Sequence, residues 1–263
     1  MEMGTVSTLS IVGMIVSMAV AILLPIVLCV VVRKKTRAKF SSMLWGCGTF
    51  FLFALVLEQI LHVVVLSITK TALTENIWLY GLYGGAAAAV FEETGRIITM
   101  KFIMKKNLNR ENALMYGVGH GGIEAILVVG MAQISNIITA FMINGNQMDA
   151  VLGVLDETQK AATVESLSAL WTTPSYQFFM SGIERISAII LHISLSILVY
   201  AGIKQGKKKI VLAAFAAHFL VDFVTVVAAD KLPIVAVEIM IFLMSALLGL
   251  AAMKLYKKDA ETA

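Results

Sequence analysis

Long apolar runs fill most of this chain, and short polar stretches separate them. The pattern predicts helices at residues 8–32, 41–69, 76–104, 112–142, 176–202, 209–229 and 232–256. About 20 apolar residues at 1.5 Å rise cross about 30 Å of hydrocarbon. The expected fold is therefore all-α: a polytopic helical membrane protein with about seven transmembrane helices. Residues 1–263 read as a single integral membrane domain, with the chemistry-bearing core at 76–229. One long connection, 144–175, interrupts the rhythm. Apolar residues recur at helical spacing between Asp149 and Leu170, with acids between them. That spacing predicts an amphipathic helix on the outer surface, either solvated or acting as a lid over the path of a substrate.

Composition agrees with this class. The chain is 59% hydrophobic and 14% charged, far from soluble-domain averages. A net charge of +4 would suggest nucleic acid in a soluble protein. Here the basic residues crowd the short connections, so the bilayer is the expected partner and nucleic acid is not. Sixteen of them lie on one side of the predicted spans and three on the other, with Arg96 and Arg185 inside spans. By the positive-inside rule the N-terminus is outside and the C-terminus cytoplasmic. A Lys207→Cys variant should then react only with membrane-permeant thiol reagents. Labelling by an impermeant reagent from outside would reverse the assignment. Cys29 and Cys47 lie within apolar runs, with neither a disulfide framework nor a CxxC metal spacing.

Ionisable residues inside these runs change the picture most. Glu92, Glu93 and Arg96 fall within one and a half turns of the third run. A charge near the bilayer centre costs about 2.5–3.5 kcal/mol, so such residues mark cavities and sites. Counting rise from the nearest cytoplasmic basic residue places Glu92, Glu124 and Asp222 at roughly 20 Å depth. His120, His192 and His218 come out at roughly 14–18 Å. Independent structural polar residues would not need to agree in depth, so the agreement points to one shared site. Glu92 with Arg96, His120 with Glu124, and His218 with Asp222 are each four apart and share a helix face. Glu92 and Arg96 can thus form an ion pair. Adjacent carboxylates resist joint ionisation, which leaves one free to act as a base. Glycines surround the set, including Gly117, Gly119, Gly121 and Gly122 around His120. They favour close helix packing and leave room for a substrate or water. A second polar tier holds Glu58, Gln59 and His62 in the second run and Glu184 and Arg185 in the fifth. An ion pair of Arg185 with Glu58 or Glu184 is expected there.

Imidazoles and carboxylates together admit two routes to hydrolysis. Glu92 takes a proton from water while histidines stabilise the oxyanion. Alternatively, His120, His192 and His218 hold a metal such as Zn²⁺, which activates bound water. No HExxH occurs. A proton-coupled carrier would use similar residues, but the paired broken helices of inverted repeats are missing. Serine chemistry lacks support: Ser194 and Ser196 flank His192, but no GxSxG is present.

At this point the motifs resemble a family. Glu92-Glu93-Thr94-Gly95-Arg96 is similar to the EExxR motif of the CAAX-protease and bacteriocin-processing superfamily of intramembrane proteases. His218 to Asp222 is similar to its HxxxN/D motif. Adding Gly117 to Glu124, and Glu184-Arg185 with His192, the set resembles the YhfC family within that superfamily. The motifs run in order through half the chain. The resemblance implies a glutamate-type endopeptidase of a bacterial plasma membrane, acting on a membrane-bound protein or peptide. Glu92 would activate water, with Glu93 beside it and Arg96 orienting it. His218 and His192 would bind the oxyanion or water, and His120, Glu124 and Asp222 would complete the shell. The superfamily's FxxxH motif reads His120-xxx-Glu124 here, so the oxyanion role is open between His120 and His192. A non-catalytic scaffold or immunity factor that binds a transmembrane partner is the alternative.

Overall fold

The computed structural model describes residues 3–261. Among them the regular structure is entirely helical. Helix α1 is Thr8–Thr36, α2 Phe40–Thr69, α3 Ile77–Ile98 and α4 Arg110–Asn144. Three short helices follow: α5 Met148–Leu152, α6 Glu157–Leu167 and α7 Ala169–Thr172. Helices α8 Ser175–Lys204, α9 Lys208–Ala229 and α10 Ile234–Glu261 complete the bundle.

Local chemistry sets the ends of these helices. Ser7 caps α1, its hydroxyl accepting from the Ser10 amide at 3.0 Å. Asn76 caps α3 and Asn109 caps α4. Each side chain satisfies amide donors that the first turn leaves unpaired. At the far end of α1, Arg37 adopts a left-handed φ of 58° and donates its N–H to the Arg33 carbonyl.

Six helices are long and apolar enough to cross a membrane: α1, α2, α4, α8, α9 and α10. The chain is an all-α polytopic membrane protein. Helix α3, the remaining expected span, has 22 residues. Glu92, Glu93 and Arg96 dilute its hydropathy, and all three are buried.

Helix α8 is the centre of the bundle. Its most apolar window is 78% buried, against 11–28% for the other five candidate spans. It packs on α1, α4, α9 and α10. Helices α2, α4, α8, α9 and α3 form a closed ring, each packing on the next. Three of the long helices widen into π turns beside this ring: Phe53–Glu58 in α2, Thr99–Ile103 after α3 and Ala125–Gly130 in α4. Glu58 lies in the first, Arg96 just before the second and Glu124 directly before the third. Such turns rotate the following helix face and recur at functional sites.

Glycine sets how closely α4 approaches its neighbours. A Cβ on Gly119 would sit 2.1 Å from the Met43 carbonyl oxygen of α2, and one on Gly46 would sit 2.2 Å from the Tyr116 oxygen. On the other side, a Cβ on Gly117 would meet Ile193 Cα of α8 at 2.6 Å. These obstacles are backbone atoms and cannot swing aside, so any larger residue must push the helices apart. The glycines around His120 therefore do packing work that brings His120 to the ring interior.

The 144–175 connection departs from the single helix expected over 149–170. Gly153 ends α5, and a capping box of Asp156 with Gln159 starts α6. Met148 and Leu170 join Val6, Met14, Ile143 and Phe178 in one apolar cluster. The connection thus packs over the ends of α1, α4 and α8. Asn144 holds this corner, accepting from the Val6 amide and donating to the Val6 carbonyl, each at 2.9 Å.

Candidate functional site

The ring encloses the residues that the polar pattern singled out. Helix α3 presents Glu92 and Glu93 on adjacent faces about 100° apart. Glu92 faces α4 and α8: its Oε2 lies 2.8 Å from His120 Nε2 and 3.7 Å from His192 Nδ1. Glu93 faces α9, with Oε1 2.9 Å from His218 Nδ1. Arg96 Nη1 donates to that same Glu93 oxygen. Glu93, Arg96 and His120 have no exposed surface.

This resolves one pairing. Arg96 bonds Glu93, three residues back, and not Glu92, four back. Both spacings share a helix side, and the tertiary surroundings choose between them. Arg96 also reaches across to α8, where Nη2 lies 3.1 Å from His192 Nδ1. Glu92 is thereby left to the imidazoles.

His218 sits between two carboxylates, with Nδ1 2.9 Å from Glu93 Oε1 and Nε2 3.5 Å from Asp222 Oδ2. Arg96 donates to His192 Nδ1, so the neutral ring carries its hydrogen on Nε2, 2.5 Å from Glu124 Oε2. Arg185 anchors Glu124 through Nη1 at 2.8 Å and also bonds Glu184. Of the two partners expected for Arg185, Glu184 is the one that pairs and Glu58 is not, because α8 turns Arg185 toward α4. Glu58 instead lies 3.2 Å from His62 Nε2, and His62 Nδ1 bonds the Tyr83 hydroxyl at 2.7 Å. His120 and Glu124 share a face as expected but hold separate partners.

All eight singled-out residues, Glu92, Glu93, Arg96, His120, Glu124, His192, His218 and Asp222, thus belong to one linked network. The rings of His120 and His192 lie 4.9 Å apart, and those of His192 and His218 lie 5.4 Å apart. Phe50 of α2 sets its ring against His120 with centroids 5.4 Å apart at 81°. The pattern of polar residues missed Phe50, because an aromatic inside an apolar run carries no distinguishing mark. A polar cavity of about 90 Å³, lined by Glu124, Arg185, His192 and Asp222, adjoins the network. It is large enough for a few water molecules.

The network also suits a divalent cation. One donor atom each from Glu92, His192 and His218 lie within 4.8 Å of one another. His120 stands outside this group, bonded to Glu92, so the expected three-histidine set becomes two histidines and a carboxylate. That donor set leaves a position open for water at catalytic zinc. The outward nitrogens of both histidines face carboxylates, Glu124 and Glu93, the usual support for metal-binding imidazoles, and His192 Nδ1 would have to exchange Arg96 for the ion. Five carboxylates (Glu92, Glu93, Glu124, Glu184 and Asp222) also face only two guanidinium groups (Arg96 and Arg185). A divalent ion would offset part of that excess.

Comparison with known proteins shows the family. The chain is 38% identical to the uncharacterized membrane protein YhfC of Bacillus subtilis (strain 168), covering 92% of this chain and 95% of that one. No solved structure matches it. A family model described as YhfC intramembrane metalloprotease matches residues 20–243 and takes in the whole buried network, so the chain belongs to that family.

Proposed function

We propose that this protein is an intramembrane endopeptidase of the cell membrane, cleaving peptide bonds of membrane-bound proteins or peptides. The observation that carries the reading is the convergence of Glu92 with His120, His192 and His218. These are four buried groups from four helices, gathered within hydrogen-bonding or metal-binding reach. Structural ion pairs need only two partners. A carboxylate shared among imidazoles, next to a polar cavity, suits proton transfer at a water molecule.

In this reading Glu92 takes a proton from water as the water oxygen bonds to the scissile carbonyl carbon. The carbonyl oxygen gains negative charge, and an imidazole N–H turned from its resting carboxylate offsets that charge. As the C–N bond breaks, the proton passes from Glu92 to the departing nitrogen. Glu93 and Arg96 hold His218 and His192 in place, and Arg185 does the same for Glu124. Glu92, His192 and His218 would hold a divalent ion in the metal-dependent form of this reading, with Glu92 a ligand and not the base, and the ion would supply Lewis-acid polarisation.

The test is N-terminal peptide mapping of membranes that express the wild type or Glu92→Gln at matched levels. New N-termini confined to the wild type are expected. Their absence when a co-expressed panel of membrane substrates is present would favour the scaffold reading. Metal content is checked separately by elemental analysis of detergent-purified protein loaded with Zn²⁺. About one ion per chain is expected, retained in His120→Ala and lost in His218→Ala, following the two-histidine, one-carboxylate donor set. Background metal in the wild type, or equal loss in both variants, would remove the assigned ligand set.

A further inference from the structure

Helix α10 carries one acid that the network does not use. Glu238 is 6% exposed, and its Oε2 is buried without a hydrogen-bond partner. It lines a cavity of about 260 Å³ between α8 and α10. Met180 and Ile183 of α8, with Val235, Ile239 and Phe242 of α10, form the walls. Several of these walls face outward: Ile183 is 42% exposed, Ile239 56% and Phe242 45%. Within a bilayer this is a lipid-facing apolar groove bordered by a buried carboxylate.

Neighbouring cations are already committed. Arg185, one turn away in the same region of α8, bonds both Glu124 and Glu184. Buried carboxylates in membranes pair with a cation or line a path, and the groove leaves room for that cation to come from outside the chain. The groove also neighbours the site along α8 and α10. Ile183 precedes Glu184 and Arg185, which line the polar cavity beside His192, and Ile241 of that cavity lies one turn beyond Glu238.

The geometry points to a docking groove for a transmembrane segment that carries a lysine or arginine at the depth of Glu238. The segment's apolar side chains lie in the groove between α8 and α10. Its basic side chain pairs with Glu238, and its backbone is presented to the polar cavity and to His192. Apolar stems on lysine and arginine suit the walls, and the charged head suits the carboxylate. The inference rests on the proteolytic reading for its purpose, since it names the substrate class and the side of approach.

The test measures capture and not cleavage, in the Glu92→Gln chain reconstituted in nanodiscs. The probe is a single-span Leu/Ala peptide with one lysine at the matching depth, compared with the same peptide bearing leucine there. A photo-crosslinking residue replaces Phe242. The lysine peptide should crosslink at least about fivefold more strongly, a difference near 1 kcal/mol. Glu238→Gln should bring the two yields together, and Glu238→Lys should instead favour a peptide bearing glutamate. Because that last result is a gain of capture, loss of folding cannot produce it. Equal yields from the lysine and leucine peptides with Glu238 present would overturn the proposal. Since capture is read in a cleavage-dead chain, failure of docking and failure of proteolysis are separate results.

Discussion

Glu92→Gln should lower cleavage by about 10²–10⁴-fold, the range over which a positioned general base contributes. The amide keeps the volume of the carboxylate and still offers an oxygen to His120 Nε2, now 2.8 Å from Oε2. It cannot take up a proton from water. The fold should therefore survive, with an unfolding midpoint in detergent close to that of the wild type. Both measurements are needed, because a rate lost together with the fold says nothing about the base. Full cleavage by a folded Glu92→Gln chain would remove Glu92 from the chemistry. Asp222 and Glu124 would then be the remaining carboxylates beside the polar cavity.

Arg96→Ala should act in the opposite manner, on the fold first. Arg96 is wholly buried, bonded to Glu93 and to His192. Removing it leaves the Glu93 charge without its partner in a low-dielectric interior. Breaking one half of a buried pair costs about 3–5 kcal/mol. The loss should be measurable as reduced thermal stability or reduced yield of folded protein. Replacing both partners, Glu93→Gln with Arg96→Met, removes both charges and should recover much of that stability, since apolar replacements of buried pairs are often near neutral. Cleavage should stay low in the double variant. His218 then lacks the carboxylate that orients it, and His192 lacks the donor at Nδ1. Wild-type stability in Arg96→Ala would show that the pair does not hold the ring together.

The Glu238 groove shows how a signal in the chain can be visible and still go unread. Its acid interrupts an apolar run just as Glu92 does, four residues into α10. What set Glu92 apart was company: other ionisable groups at the same depth. Glu238 has no such company in sequence, and only the packing of α8 against α10 sets it near Arg185. The Arg185 partner is a related case. Counting residues placed Glu58 and Glu184 at a suitable height, but height does not say which helix faces which. Glu184 does pair with Arg185, and the packing of α8 on α4 adds Glu124 in place of Glu58.

The sequence alone determined that this is a polytopic helical membrane protein. Hydrocarbon requires every spanning backbone group to be bonded within its own helix, which makes long apolar runs legible. It also grouped the polar residues that the packing brings together, because helical rise converts residue counts into depth. The family motifs lay in the same residues. Tertiary structure decided the partners. A helix spacing of three or four allows either of two carboxylates to meet Arg96, and only the placement of α9 and α4 around α3 assigns Glu93 to the ion pair and Glu92 to the imidazoles. The same holds for the metal-binding group, where His120 yields its place to Glu92. Rotation of each helix about its axis depends on glycine contacts and π turns between distant segments, and no local spacing encodes those.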